Sequence, residues 1–166
     1  IPSFIDLVLE VCPDQVTLVP DAEDAITSNA GWDTIKHKDF LTEVCAKFKS
    51  HGIRTSIFID AKPEMAKAAA LCGVDRVELY TEPYADLFPT DPEKAIEPFI
   101  QTAIAAREAG LGVNAGHDLN LENLEYFIRN IPWIDEVSIG HALISDALYM
   151  GLEKTIQAYL SKVKIF

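Results

Sequence analysis

No stretch of this chain is apolar for the ~20 residues that a membrane-spanning helix needs. No run of lysine or arginine marks a surface for nucleic acid or anionic lipid. Basic residues are few, 14 against 26 acidic ones, giving a formal charge of −12 over 166 residues. Cysteine is scarcer still: Cys12, Cys45 and Cys72 are odd in number and widely spaced. They make neither a disulfide framework nor a metal motif, and they suit a reducing, cytoplasmic setting. HExxH and paired-cysteine spacings are both missing, so no metal is expected. What remains is ordinary globular composition, 49% apolar and 24% charged, at a length that suits one domain over 1–166. The chain opens Ile1-Pro2-Ser3-Phe4 without Met. Residues 4–11 read as an amphipathic helix already under way, so a preceding N-terminal part is expected.

Short apolar strands alternate with longer periodic helices. Strands are expected at Gln15–Pro20, Arg54–Asp60, Arg76–Thr81, Gly112–His117 and Glu136–His141, each β-branched or apolar and bounded by Pro, Gly or a polar turn. Between them, Phe40, Leu41, Val44, Cys45 and Phe48 fall on one helical face. Pro63 opens a second helix, and Asp91-Pro92 caps and opens a third in which Pro98 predicts a kink. The segment between Thr81 and Asp91, with Pro83 and Pro89, reads as a loop. A last helix carries Ile144, Leu148, Leu152, Ile156, Leu160 and Val163 on one stripe. Continuous βα alternation implies a parallel sheet with helices outside. The mean spacing of about 30 residues per unit matches a (β/α)8 barrel, which takes ~31, but an open doubly wound sheet shares it. Spacing leaves the two open.

In either architecture, chemistry collects at the C-terminal ends of the strands. Two of the four histidines stand there in the same context, Gly116-His117 and Gly140-His141. Glycine removes a Cβ where something approaches the backbone closely. The residues that follow open helices whose free N–H groups suit a phosphate. His117 is a candidate for proton transfer, or else a histidine satisfied by hydrogen bonds; His141 fits the anion role. Glu78, between Val77 and Leu79, is an inward carboxylate in a buried strand. It is either an acid–base group with a shifted pKa or half of a structural ion pair. Asp60 ends a strand too and caps the following helix or serves the site. Thr27 and Ser28 lie in a long loop over the same mouth. His37 and His51 read as solvated helix-end residues, and the acidic run Asp21, Glu23 and Asp24 as a solvated loop.

At Asn114-Ala115-Gly116-His117-Asp118-Leu119 and Ile139-Gly140-His141-Ala142 the chain resembles the pyridoxine 5′-phosphate synthase family. Val16–Pro20, Thr55–Asp60 and Val77–Thr81 support the likeness in order and spacing. The resemblance implies a (β/α)8 barrel of which this chain supplies the five C-terminal units, strands four to eight, with about 75 residues of a ~240-residue barrel lying before it. It implies the condensation of 3-amino-2-oxopropyl phosphate with 1-deoxy-D-xylulose 5-phosphate to pyridoxine 5′-phosphate, releasing phosphate and water, with no cofactor and in a homo-oligomer. By the same resemblance His117 is the late general acid and Glu78 stabilises a transition state. Gly140, His141 and Asp118 hold the aminoketone phosphate, while Thr27 helps bind the deoxyxylulose phosphate. Two positions depart from the family. Asp21-Ala22-Glu23-Asp24 replaces a usual Glu-Lys-Arg run, and Asp118 stands where Gly is frequent. The competing readings are another phosphate-binding barrel, an isomerase or lyase, and a non-catalytic half-barrel. Lys62 lies at a helix start, so no strand-end lysine supports a Schiff-base aldolase.

Overall fold

The computed structural model describes residues 2–21 and 25–164; Glu23 and Asp24 lie outside the described residues. Five strands form one sheet: β1 (Gln15–Leu18), β2 (Arg54–Ile59), β3 (Arg76–Tyr80), β4 (Gly112–Gly116) and β5 (Glu136–Ser138). Every neighbouring pair is parallel and the spatial order is the chain order, β1-β2-β3-β4-β5. A doubly wound sheet reverses its strand order at a switch point; this one never does. Its curl is recorded by side chains. In a flat sheet β1 and β5 stand ~19 Å apart, four spacings of ~4.8 Å. Yet Gln15 Nε2 donates to Glu136 Oε2 at 3.2 Å, across the concave face. The sheet is a half-barrel.

The period of two along each strand separates two chemistries. Val16, Leu18, Ile57, Ile59, Val77, Leu79, Val113 and Ala115 are all buried on the convex side. They pack there against α2 (Lys38–Lys49), α3 (Pro63–Ala70), α5 (Pro92–Glu108) and α6 (Leu124–Asn130). Burying an aliphatic or aromatic side chain of this size contributes about 1.5–3 kcal/mol, and this face is the core. The concave face is polar: Gln15 and Thr17, Arg54 and Ser56, Arg76 and Glu78, Asn114, then Glu136 and Ser138. One rung runs Phe58, Glu78, Asn114, Glu136 across four strands.

Two local expectations are corrected. The Pro83–Pro89 segment contains a helix, α4 (Glu82–Leu87). Proline in the first turn costs no intrahelical hydrogen bond, and Tyr84, fully buried against Phe99 and Phe127, holds the helix down. The last helix is two, α7 (His141–Met150) and α8 (Leu152–Val163), parted at Gly151 with φ +83, a left-handed conformation that ends a helix. As expected, α5 holds Pro98 in its interior. The first helix is present as α1 (Pro2–Val11).

Exposed apolar side chains include Leu7 and Val11 of α1, the helix before β1, and Ile144, Leu148 and Tyr149 of α7, the helix after β5. α7 buries none of its residues.

Candidate active site

The top of β3 and β4 is where the candidate residues converge. Glu78 is 8% exposed on the concave face and accepts from Thr17 Oγ1 at 3.1 Å. Burial pushes its carboxyl up from the ordinary value, and the Glu136 charge adds to this; hydrogen bonds from Thr17 and Ser138 only partly offset the rise. Glu78 lies in a tight space. A Cβ on Gly116 would meet its Oε1 at 2.6 Å and Ser138 Cβ at 2.9 Å. Gly116 is therefore required for the close approach that its strand-end position predicts. Gly140 is not: a Cβ there meets nothing within 4 Å, so any close approach at Gly140 would be by a ligand.

His117 and Asp118 leave β4 in left-handed conformations, φ +93 and +58, which cost non-glycine residues about 1–3 kcal/mol each unless their surroundings hold them. They are held. Thr81, fully buried, donates its hydroxyl to the His117 carbonyl. Asn123, also buried, donates Nδ2–H to the Asp118 carbonyl at 3.2 Å. The turn swings the imidazole edge-on to Tyr80, centroids 5.2 Å apart. There His117 Nε2 lies 2.9 Å from Thr27 Oγ1 and Nδ1 lies 2.9 Å from Asp118 Oδ2.

Thr27, His117, Asp118, Gly140 and His141 line one cleft of about 590 Å3, with Ser138 at its wall. The two Gly-His turns thus face a common space. Glu78 lies beside it, joined through Ser138 and Gly116. His141 is exposed and opens α7, whose N-cap is Gly140, so free helix amides face the same mouth. Among the described residues lining this cleft there is no lysine or arginine, while Asp21 and Asp118 both contribute carboxylates. A phosphate here would be met by amides, hydroxyls and imidazoles.

Asp60 stands apart. It does not cap α3, whose N-cap Lys62 has no side-chain capping bond. Its Oδ1 accepts from the Gly31 N–H at 2.8 Å, and with Trp32 N–H bonded to the Phe58 carbonyl it straps the loop carrying Thr27 and Ser28 to the end of β2. His37 and His51 sit at the two ends of α2, away from the cleft. Tyr80 is the site residue that the motifs passed over. It lies two positions after Glu78, hence on the same face, and its hydroxyl donates to the Ser28 carbonyl at 3.3 Å.

Residues 1–165 match the family model described as pyridoxal phosphate biosynthesis protein PdxJ. A pyridoxine 5′-phosphate synthase of Bacteroides thetaiotaomicron is 65% identical over 158 residues, covering 95% of this chain and 67% of that protein. One of Christiangramia forsetii is 62% identical over 164 residues, covering 99% and 69%. The chain thus spans about two thirds of the length of these relatives. Among solved structures, the BexX/CysO complex of Amycolatopsis orientalis superposes with TM-score 0.58 at 15% identity, covering 95% of this chain and 59% of the other. A Coccidioides immitis protein assigned as a fructose-1,6-biphosphate aldolase gives 0.56 at 14%, covering 99% and 62%. At such identities the likeness is one of fold.

Proposed function

The chain belongs to the pyridoxal phosphate biosynthesis protein PdxJ family, and from that membership we propose that it forms the five C-terminal βα units of a single-domain pyridoxine 5′-phosphate synthase barrel. The reaction joins 3-amino-2-oxopropyl phosphate to 1-deoxy-D-xylulose 5-phosphate, closes the pyridine ring, and releases phosphate and water. Each step moves a proton at a carbonyl, an amine or a departing hydroxyl, which is work for positioned acids and bases. The observation that carries the proposal is the single cleft shared by His117 and His141, with a burial-perturbed Glu78 beside it.

In this reading His117 delivers the late proton, and Glu78 stabilises charge as the ring forms. Gly140, His141 and the Asp118 N–H hold the aminoketone phosphate; Thr27 contacts the second, phosphorylated sugar. Phosphates anchored away from the reacting carbons supply the binding energy that orients them. Cationic side chains for these phosphates would come from the remaining units of the barrel. A homo-oligomer accords with the apolar side chains that α7 and α8 expose, and a cytoplasmic setting with free Cys45 and Cys72 buried in the core. Among the described residues no helix is long and apolar enough to cross a membrane.

The test is His117→Asn in the protein extended to its relatives' full length, assayed for pyridoxine 5′-phosphate from both precursors. Turnover should fall roughly 10²- to 10⁴-fold with substrate binding little changed. Near-normal turnover would falsify the proton role.

A further inference from the structure

The family reading uses only the backbone N–H of Asp118, yet the carboxylate is the better-placed group. Oδ2 lies 2.9 Å from Nδ1 of the adjacent imidazole. The left-handed φ of +58 at Asp118 accompanies this return of the carboxylate onto its own neighbour's ring. Of the non-glycine residues, aspartate and asparagine accept that conformation most readily. Asn123 fixes the turn from behind through the Asp118 carbonyl, and Thr81 does so through that of His117.

A carboxylate can only accept a hydrogen bond, so Nδ1 must carry a proton. The exchangeable site is then Nε2, which faces Thr27 Oγ1 at 2.9 Å. Neutral, His117 accepts the threonine hydroxyl at Nε2; protonated, it donates from the same atom. The nitrogen that bears the mobile proton is set by the bond the other nitrogen makes.

We propose that Asp118 is a positioning residue for His117, holding Nδ1 protonated so that Nε2 alone is the atom exchanging protons with substrate. The proposal rests on the reading of His117 as a proton carrier and goes beyond it by assigning the atom and the group that selects it. It also gives a use to the residue standing where the family frequently has glycine.

Asp118→Gly and Asp118→Asn in the full-length protein test it. Glycine suits φ +58, so the first variant keeps the turn and removes only the carboxylate. Histidine 15N shifts should show His117 protonated at Nδ1 in the parent and no longer held so in the glycine variant. The kcat should fall roughly 10- to 100-fold, the scale of a misplaced reacting group, with KM within about twofold. Asparagine, whose amide oxygen can still accept from Nδ1, should restore much of both signals. An unchanged tautomer, or an unchanged kcat in Asp118→Gly while His117→Asn is inactive, overturns the proposal. Full activity in His117→Asn instead overturns the proton-carrier reading on which it stands.

Discussion

Two carboxylates on one rung of the concave face stand in opposite settings. Glu136, which opens β5, accepts from Arg54 at 2.6 Å and from Gln15 and Asn114, with Arg76 3.6 Å away. Partial burial works to raise its carboxyl, but Arg76, Arg54 and the hydrogen bonds outweigh it, and the group is held below the ordinary range. Glu78, two strands away on that rung, is more deeply buried, has two hydroxyls for partners and is pushed up. On the proposed function, the contrast separates structure from reaction. An ionised, multiply bonded carboxylate ties β1, β2, β4 and β5 together and has no proton to give. A buried carboxyl bonded to hydroxyls is costly to ionise and can exchange a proton. Glycines of one strand make room for each arrangement. A Cβ on Gly112 would meet the Arg76 stem at 2.8 Å, as one on Gly116 would meet Glu78.

Replacing Glu78 should separate the two carboxylates most sharply. Glu78→Gln is expected to lower kcat by roughly 10²-fold or more, as loss of a positioned acid–base group does, while raising stability at neutral pH. A raised carboxyl favours folding while protonated, and that contribution is lost as pH rises from the ordinary 4.5 through its elevated value. The variant should therefore melt higher than the parent at pH 7, by about 2–4 °C for each kcal/mol recovered, and the gap should close below pH 4.5. An unchanged or lower melting temperature at pH 7 would show that Glu78 is held ionised, as Glu136 is. Gly116→Ala comes next. Its methyl must displace the Glu78 carboxylate or Ser138, at about 1–3 kcal/mol of overpacking, with kcat falling alongside. Normal activity and stability would mean that the approach is not tight.

How much of this was legible in the sequence follows the range of the interactions. Glu78 declared itself as a lone carboxylate between Val77 and Leu79, and the two Gly-His turns declared themselves by repetition at strand ends. Both signals are local. Tyr80 could have been found by carrying the period of two onward from Glu78. Ser138 precedes Gly140 by the same two residues. The choice of barrel over doubly wound sheet was not legible in the spacing, which serves both; it came from the family motifs, and strand order bears it out. Nor was the Gln15–Arg54–Glu136 cluster, whose members lie 39 to 121 positions apart and meet only once the sheet curls. The break at Gly151 was legible in principle, but the apolar stripe ran straight across it.

Arg76→Ala tests the other side of the contrast. The side chain is 16% exposed, donates to Asn114 Oδ1 at 2.8 Å, and lies near both Asp135 and Glu136. Removing it leaves those acceptors short of a charged donor, at about 1.5–3 kcal/mol. Urea unfolding should show that loss, while kcat per folded molecule stays within a few-fold of the parent. A large fall in kcat without loss of stability would mean that the two settings are not separable.

Glu136→Gln should have the smallest effect and the most diagnostic pH dependence. The carboxylate is 40% exposed, so its ion pairs are screened and worth at most about 1 kcal/mol. Because its carboxyl is depressed, the stability it lends is present above the ordinary 4.5 and is lost as pH falls through its lowered value. The variant should therefore be slightly less stable than the parent at pH 7, and the difference should vanish in acid and shrink as salt is added. Glu78→Gln moves the other way at pH 7, gaining where Glu136→Gln loses. If the two glutamines shifted neutral-pH stability in the same direction, the arginines would not be what distinguishes the two carboxylates.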